Sequence, residues 1–253
     1  MSGTVIIKQK EIGRGRPKIC IPITEQNLTD LRRTAQEIAR VPHDLVEWRA
    51  DFFEGLADSE ACHEALELLR EELPADPVLF TIRTRPEMGE ADLSADQYGA
   101  LNLRVIEGKW ADLVDVELSC GKQHVQSLIE AAHAKGVYVI TSRHDKEMTP
   151  APEKIVETLC LMQDLGADIV KYAVMPHTER DVLNLLMATL TMKEKHASTP
   201  VITMSMGKLG ALSRISGELF GSALTFGTAG KASAPGQLPA EQLMDFLRYL
   251  SLG

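Results

Sequence analysis

Eight short apolar runs, rich in β-branched residues, recur along the chain with helical stretches between them. The runs are KICIPI (18–23), DLVEWRAD (44–51), PVLFTIRT (77–84), DLVDVEL (112–118), GVYVITSRHD (136–145), ADIVKYAV (167–174), PVITMSM (200–206) and SALTFG (222–227). Helical periodicity is evident at 27–40, 62–73, 125–136 and 181–196. Strands that alternate with helices indicate a parallel sheet. Eight such repeats predict either a closed (β/α)8 barrel or a doubly wound sheet.

Two further observations favour the barrel. No GxGxxG motif follows the first strand, as a dinucleotide-binding sheet would often show, and a length of 253 residues is typical of a barrel. We therefore predict an α/β fold, a (β/α)8 TIM barrel that forms a single domain over residues 1–253. The segment TVIIKQKEIGRGRP (4–17) alternates weakly around a Gly-rich turn. We interpret it as a short N-terminal β-hairpin that closes the bottom of the barrel.

The composition argues against some classes of binding partner and indicates where in the cell the protein is found. The net charge of −9 argues against nucleic acid or an anionic membrane as a partner. The four cysteines form no CxxC pair, as expected of reduced thiols in a cytoplasmic protein. The chain shows no signal-peptide core, no membrane-length apolar run and no HxH or HExxH spacing of metal ligands. We predict a cytoplasmic protein that uses no metal and no diffusible cofactor.

The stretch IVKYAVMP (169–176) places one lysine, Lys171, in an otherwise apolar run. Lysine is almost never fully buried unless it is paired. In a barrel, strand side chains alternate between the interior and the helix layer, and the active site lies at the C-terminal mouth. Polar residues near strand ends are therefore candidates for one site. They are Glu47, Arg49 and Asp51 on the second strand, Thr81, Arg83 and Arg85 on the third with Glu87 just beyond, His144 on the fifth, Lys171 on the sixth, Arg214 after the seventh, and Ser233 and Gln237 after the eighth.

Each of these residues alone has an ordinary structural explanation. Lys171 could be an edge residue or half of an ion pair, and His144 a turn residue beside an aspartate. Glu47 and Arg49 could form a structural ion pair with each other. What favours a functional site is their convergence, because one mouth that holds lysine, histidine, glutamate and several arginines is costly to maintain for structure alone.

A buried lysine among arginines has a chemistry available. Burial and neighbouring positive charge both favour the neutral amine, which attacks a ketone to form a Schiff base. The iminium acidifies a neighbouring C–H bond. We expect His144 to titrate near neutrality and to move that proton, with Glu87 as its orienting partner. The arginines would bind a substrate carboxylate. The residues alone do not distinguish elimination of water from C–C cleavage.

Several motifs resemble those of the type I 3-dehydroquinase family, in the family's order and over nearly the whole chain. They are EWRAD (47–51), FTIRT (80–84) followed by Glu87, SRHD (142–145), KYAVMP (171–176), MSMGKLGALSR (204–214) and GSALTFGTAGKASAPGQ (221–237). The methionine-rich motif and the KASAPGQ ending are the most specific of these.

The resemblance implies dehydration of 3-dehydroquinate to 3-dehydroshikimate in the shikimate pathway, by a homodimer. It assigns Lys171 as the Schiff-base lysine, His144 as the proton-transfer group and Glu87 as its support. It places Glu47, Arg49 and Arg83 on or beside the substrate hydroxyls, Arg214 on the carboxylate, and Ser233 and Gln237 in a closing loop. The glycine-rich composition of 228–238 predicts that this loop is a mobile lid.

One position departs from the family pattern, and two alternative functions stay open. Pro22 stands where some family members have a serine near the substrate, so that contact is absent here. A class I aldolase or transaldolase would also use Lys171, with Gly207 and Lys208 or the loop 227–231 binding a substrate phosphate. A non-catalytic anion-binding barrel would use the lysine and the arginines only as a receptor.

Overall fold

The structure is a computed structural model that describes residues 3–230 and 236–252. Its strands, numbered along the chain, are β1 (Val5–Ile7), β2 (Lys10–Ile12), β3 (Lys18–Ile23), β4 (Leu45–Arg49), β5 (Val78–Thr81), β6 (Leu113–Glu117), β7 (Tyr138–Asp145), β8 (Ile169–Val174), β9 (Val201–Ser205), β10 (Leu224–Thr228) and β11 (Leu238–Pro239).

The strands β3 to β10 form the predicted barrel. They pair in parallel in the order β10-β3-β4-β5-β6-β7-β8-β9. The short β11 pairs in parallel with the last two residues of β10, on the edge away from β3. The seam between β9 and β10 is closed by a single bridge between Val201 and Ser222, where the Ala223 N–H donates to the Val201 carbonyl at 2.8 Å. The prediction of a (β/α)8 barrel is confirmed.

Helices surround the barrel. They are α1 (Leu28–Ile38), α2 (Ser59–Glu72), α3 (Ala95–Gly108), α4 (Lys122–Lys135), α5 (Pro152–Asp164), α6 (Glu179–Thr191), α7 (Ala211–Ile215), α8 (Gly217–Phe220) and α9 (Ala240–Tyr249). Periodicity alone predicted α1, α2, α4 and α6. Short 3-10 turns at Ala50–Phe52 and Leu118–Cys120 follow β4 and β6 directly, and a third, at Arg85–Glu87, begins four residues after the end of β5. No helix in the described part of the chain is both long enough and apolar enough to cross a membrane.

The N-terminal hairpin closes the bottom of the barrel, as predicted, but its turn differs from the prediction. The strands β1 and β2 pair antiparallel, with Ile7 opposite Lys10, so the chain reverses at residues 8–9. Lys8 takes the left-handed conformation there, with φ 51°, whereas the Gly-rich segment 13–15 only leads out of the hairpin. Ile7 and Ile12 are buried with the first interior residues of the barrel strands.

Alternation along each barrel strand brings every second side chain into the interior. At the first interior level these side chains are apolar and buried: Cys20, Leu45, Leu79, Leu113, Ile140, Ile169, Ile202 and Leu224. The residues two positions further along are Pro22, Glu47, Thr81, Asp115, Ser142, Lys171, Met204 and Phe226. The barrel therefore has an apolar floor beneath a largely polar level.

We predict that the hairpin contributes to stability mainly through its inward-facing isoleucines. Ile12 is 0% exposed, whereas Ile6 on the facing strand is 60% exposed. Ile12→Ala should reduce the free energy of unfolding by about 2–5 kcal/mol because it leaves a cavity under the barrel. Ile6→Ala, the matched control, should change it by less than about 0.5 kcal/mol. Urea unfolding measures both variants, and equal losses would contradict the closing role of the hairpin.

Candidate active site

A pocket of about 150 Å³ lies at the end of the barrel where the strands finish. It is lined by Glu47, Arg49, Arg83, Glu87, Met88, His144, Lys171, Ala173, Met204, Met206, Arg214, Phe226 and Gln237. The residues that the family resemblance assigned to the site are thus brought together, except Ser233, whereas the further candidates Asp51, Thr81 and Arg85 do not line the pocket. Ser233 and the central part of the predicted lid, 231–235, lie outside the described residues.

Lys171 is almost completely buried, with 3% of its surface exposed. Its Nζ lies 3.7 Å from Glu47 Oε1, 3.6 Å from Asp115 Oδ2 and 4.6 Å from the centre of the Phe226 ring. The sequence predicted that cations would surround Lys171. This prediction is wrong in part, because the charged groups nearest to Nζ are two carboxylates.

The carboxylate of Glu47 and the guanidinium of Arg49 do not pair with each other. Thr81 Oγ1 donates to Glu47 Oε1 at 3.0 Å, and Glu47 also faces Lys171. Arg49 donates through Nε and Nη2 to the two oxygens of Asp51, at 2.8 and 2.7 Å. The chain turns into a 3-10 helix directly after Arg49, which brings Asp51 back towards the arginine. The alternative of a Glu47–Arg49 pair is thereby corrected.

Arg83 is buried at the centre of an ionic network. Its Nη2 lies 2.9 Å from Asp115 Oδ2, and its Nη1 donates to Glu117 Oε1 at 2.8 Å and lies 3.6 Å from Glu87 Oε2. Burial alone would lower the pKa of Arg83, but these carboxylates raise it well above its usual value. Arg85 does not share this environment. Because β5 ends at Thr81 and the chain then turns, Arg85 is exposed and contacts Asp92 at 3.1 Å.

Sequence reasoning missed two residues of this network, Asp115 and Glu117 on β6. Asp115 Oδ1 accepts a hydrogen bond from Ser142 Oγ at 2.6 Å, and Glu117 accepts one from the Thr84 N–H at 2.9 Å. Burial would raise the pKa of Asp115, but Arg83 and Lys171 hold it below the usual value. The alternating acids in DLVDVEL were the available signal, since they occupy successive interior positions of a strand.

His144 and Glu87 form a pair at the pocket wall. His144 Nδ1 lies 2.9 Å from Glu87 Oε2, and the backbone N–H of His144 donates to the same oxygen at 3.0 Å. The carboxylate is therefore fixed relative to both the ring and the main chain of the histidine. With Nδ1 engaged, Nε2 is the ring nitrogen that remains for a substrate.

The protonation of this pair differs from the expectation. Burial, together with the charges of Arg83, Lys171 and Arg49, lowers the pKa of His144 well below its usual value. Burial and the neighbouring Glu117 raise the pKa of Glu87 to about 7, although Arg83 opposes this shift. The imidazole is therefore neutral at neutral pH and able to accept a proton. Glu87, rather than His144, has the pKa near neutrality.

Arg214 is a buried cation that lines the same pocket, although it comes late in the chain. It lies on α7 with 2% of its surface exposed, and burial lowers its pKa to about 10, which leaves it charged at neutral pH. The glycines of MSMGKLGALSR explain how the chain reaches this position. A Cβ on Gly210 would lie 2.0 Å from the Ser205 carbonyl oxygen, so only glycine allows this close return of the chain.

The arrangement combines a buried amine, a neutral imidazole and a charged guanidinium around one cavity. Met204, Met206, Ala173 and Phe226 supply its apolar surface. Among residues 3–230 and 236–252, no group of three or more His, Cys, Asp or Glu side chains is arranged to hold a metal ion. This combination suits Schiff-base chemistry on a small anionic ketone, with proton transfer at the neighbouring carbon.

Sequence comparisons support the resemblance noted above. The family described as type I 3-dehydroquinase matches residues 19–253. The 3-dehydroquinate dehydratase of Bacillus licheniformis is 46% identical over 250 residues, which cover 99% of this chain and 98% of that protein. The 3-dehydroquinate dehydratase of Clostridioides difficile is also 46% identical over 250 residues, with the same coverage of both chains.

Comparison with solved structures gives the same result. The type I 3-dehydroquinate dehydratase from Clostridium difficile with covalently modified comenic acid superposes with a TM-score of 0.96 at 46% identity, over 99% of this chain and 98% of that one. The 3-dehydroquinate dehydratase from Geobacillus kaustophilus superposes with a TM-score of 0.94 at 36% identity, again over 99% and 98%. Neither the aldolase nor the receptor alternative is supported by these relatives. The chain belongs to the type I 3-dehydroquinase family, whose members are hydro-lyases that convert 3-dehydroquinate into 3-dehydroshikimate in the shikimate pathway through a Schiff base.

Proposed function

We propose that Lys171 forms the Schiff base with 3-dehydroquinate and that His144, supported by Glu87, moves the protons. The observation that carries this proposal is the shared pocket of a buried lysine amine and a neutral imidazole whose Nδ1 is bound to a carboxylate. The covalently modified comenic acid in the Clostridium difficile relative is consistent with a nucleophile in this family's site.

The proposed reaction balances without any added reagent. The amine of Lys171 adds to the ketone of the substrate, and loss of one water with uptake of one proton leaves an iminium. His144 Nε2 then takes a proton from the carbon beside the iminium, which gives an enamine. The enamine expels the β-hydroxyl group, which leaves as water with the proton that His144 returns. Water finally hydrolyses the conjugated iminium, which releases the product, restores the amine and returns the proton taken up in the first step.

The remaining pocket residues are assigned to substrate binding. Arg214 contacts the carboxylate, because it is a buried and charged guanidinium that bears on the cavity. Glu47, Arg49 and Arg83 lie on or beside the substrate hydroxyls. Arg83 acts from beside them, since three carboxylates already surround its guanidinium. Gln237, and Ser233 outside the described residues, belong to the loop that closes over the substrate.

We further propose a cytoplasmic homodimer in which each chain is a single barrel domain. The contacting helices α6 to α9 support the dimer, because they expose large apolar side chains at one side of the barrel. These side chains are Leu183, Met187, Leu212, Leu219 and Phe246. No anionic or nucleic-acid surface is expected to bind a chain of net charge −9.

Lys171 should be the residue that carries the covalent adduct. Borohydride added with 3-dehydroquinate should increase the mass of the protein by one reduced ligand, and peptide mapping should locate it on Lys171. Lys171→Ala should remain folded, lose nearly all turnover and take up no label. Lys208→Ala, a control at an exposed lysine near the site, should label normally. Label on Lys208 or Lys231 in the unmutated protein would contradict the assignment.

His144→Ala should separate imine formation from proton transfer. The variant should still give a borohydride-trapped adduct, because attack on the carbonyl requires the amine rather than the imidazole. Turnover should fall by at least about 10²–10⁴-fold, the usual contribution of general acid–base catalysis. Single-turnover trapping followed by mass spectrometry measures the first effect. Absence of the adduct, under conditions that label the unmutated enzyme, would mean that His144 is needed for imine formation itself.

The acid limb of kcat/KM should belong to the Glu87–His144 pair. Above a pH of about 7, Glu87 is ionised and holds the Nδ1–H form of His144, which leaves Nε2 as the proton acceptor. Below that pH, Glu87 takes up a proton and the rate should fall. Glu87→Gln cannot ionise, so its limb near 7 should be absent and its plateau lower.

The matched control for this pH profile is Glu90→Gln, an exposed glutamate in the same loop. It should retain both the limb and the plateau of the unmutated enzyme. A limb that persists near pH 7 in Glu87→Gln would assign the titration to another group.

A further inference from the structure

Asp51 is a buried carboxylate to which the reaction described above gives no role. It lies in the 3-10 turn after β4, and none of its side-chain surface is exposed. Four N–H groups donate to its two oxygens. They are Arg49 Nε at 2.8 Å, Arg49 Nη2 at 2.7 Å, the Arg83 backbone N–H at 3.2 Å and the Glu90 backbone N–H at 3.1 Å.

The first two bonds fix the guanidinium of Arg49 at the pocket. The paired contacts to both Asp51 oxygens define the plane of the guanidinium as well as its position. The carboxylate also offsets the charge of Arg49, which otherwise acts on His144 across the pocket. Asp51 therefore controls both where Arg49 lies and how much positive field reaches the imidazole.

The other two bonds hold the base of the loop that carries Glu87. Arg83 and Glu90 bracket residues 84–89, and Asp51 binds the main chain on both sides. The loop is narrow at this point, because the Ala91 N–H donates to the Arg83 carbonyl at 3.2 Å and a Cβ on Gly89 would lie 2.0 Å from that carbonyl oxygen. Glu87 extends from the far part of this loop to His144.

We propose that Asp51 is a positioning residue. It fixes Arg49 and the loop that carries Glu87, residues 84–89, in position relative to each other. One carboxylate thus links the substrate-binding arginine of β4 to the carboxylate that supports the proton-transfer histidine of β7. This inference rests on the roles proposed above for Arg49, Glu87 and His144, and it adds a residue that contacts none of the reacting atoms.

A carboxylate is required here because all four partners are donors. Asparagine has nearly the same shape, but its NH2 group would face N–H donors in either orientation. Asp51→Asn therefore loses about half of the contacts and the charge at once, while the packing around the side chain is preserved. Asp92→Asn is the matched control, since Asp92 lies on the same loop with an exposed side chain and outside the pocket.

The test compares kcat/KM and its pH profile in these variants. Asp51→Asn should reduce kcat/KM by about 10²-fold, because misplacement of binding and catalytic groups is costly at this scale. Its acid limb should also move to lower pH. The charged groups that face the Glu87–His144 pair are Arg49 on β4, Arg83 after β5, Asp115 and Glu117 on β6, and Lys171 on β8. Loss of the Asp51 charge leaves Arg49 uncompensated among them, which favours deprotonation of the pair.

Asp51→Glu separates geometry from charge and decides the question if Asp51→Asn does not fold. It retains the negative charge but moves the two oxygens, so the limb should stay in place while kcat/KM still falls at least tenfold. An acid limb that stays in place in Asp51→Asn, or full kcat/KM in Asp51→Glu, would overturn the proposal.

Borohydride trapping distinguishes this outcome from failure of the proposed reaction. If the unmutated enzyme is labelled on Lys171 while Asp51→Asn behaves as Asp92→Asn does, only the role of Asp51 is wrong. If the unmutated enzyme is not labelled on Lys171, the proposed reaction itself is wrong. A mere loss of folding stability in Asp51→Asn would leave the pH limb unmoved, so the shift of the limb is the result that identifies positioning.

Discussion

The buried guanidinium of Arg83 is the interaction on which the rest of the site depends. A charge inside a barrel loses its hydration, at a cost of several kcal/mol, unless opposite charges compensate for it. Asp115 and Glu117 lie within 2.9 Å of Arg83 and compensate for its charge. The same two carboxylates fix the surrounding geometry, because Asp115 also faces Lys171 and Glu117 also holds the main chain at Thr84. The network therefore organises the site before any substrate is present.

The balance of charge in this network explains the unusual titration of the pocket. Arg49 is already matched by Asp51. Among the described residues, the carboxylates Glu47, Glu87, Asp115 and Glu117 then remain against the cations Lys171, Arg83 and Arg214. Burial and this surplus of negative charge favour a protonated carboxyl, and Glu87 is the group whose pKa is raised to about 7.

Strand periodicity predicted most of the fold and the positions of the site residues, because a period of two fixes which side chains enter a barrel. The alternation was enough to bring Glu47 and Lys171 together. It failed where the chain leaves the strands. Arg85 points out because β5 ends at Thr81, and Arg49 pairs with Asp51 because a 3-10 turn follows β4. Helices α3 and α5 were not predicted, although they are as long as α2, α4 and α6.

Partners and protonation states were the parts that sequence could not supply. The acids of β6 look like any alternating strand until the barrel closes and Arg83 is found between them. The low pKa of His144 depends on burial and on the cations Arg83, Lys171 and Arg49, none of which is its neighbour in the chain. Such properties belong to the assembled interior rather than to any one segment.

The seam between β9 and β10 has a consequence for how the protein acquires activity. Local helices and neighbouring strand pairs can form early in folding, but the pocket needs Glu47 from β4, Lys171 from β8 and Phe226 from β10 at once. Contacts so distant in sequence form slowly, because long loops must close first. The ring is complete only when the bridge between Val201 and Ser222, and the hydrogen bond from the Thr203 N–H to Ser222 Oγ, have also formed. Recovery of turnover during refolding should therefore follow completion of the ring and come later than recovery of helical circular dichroism.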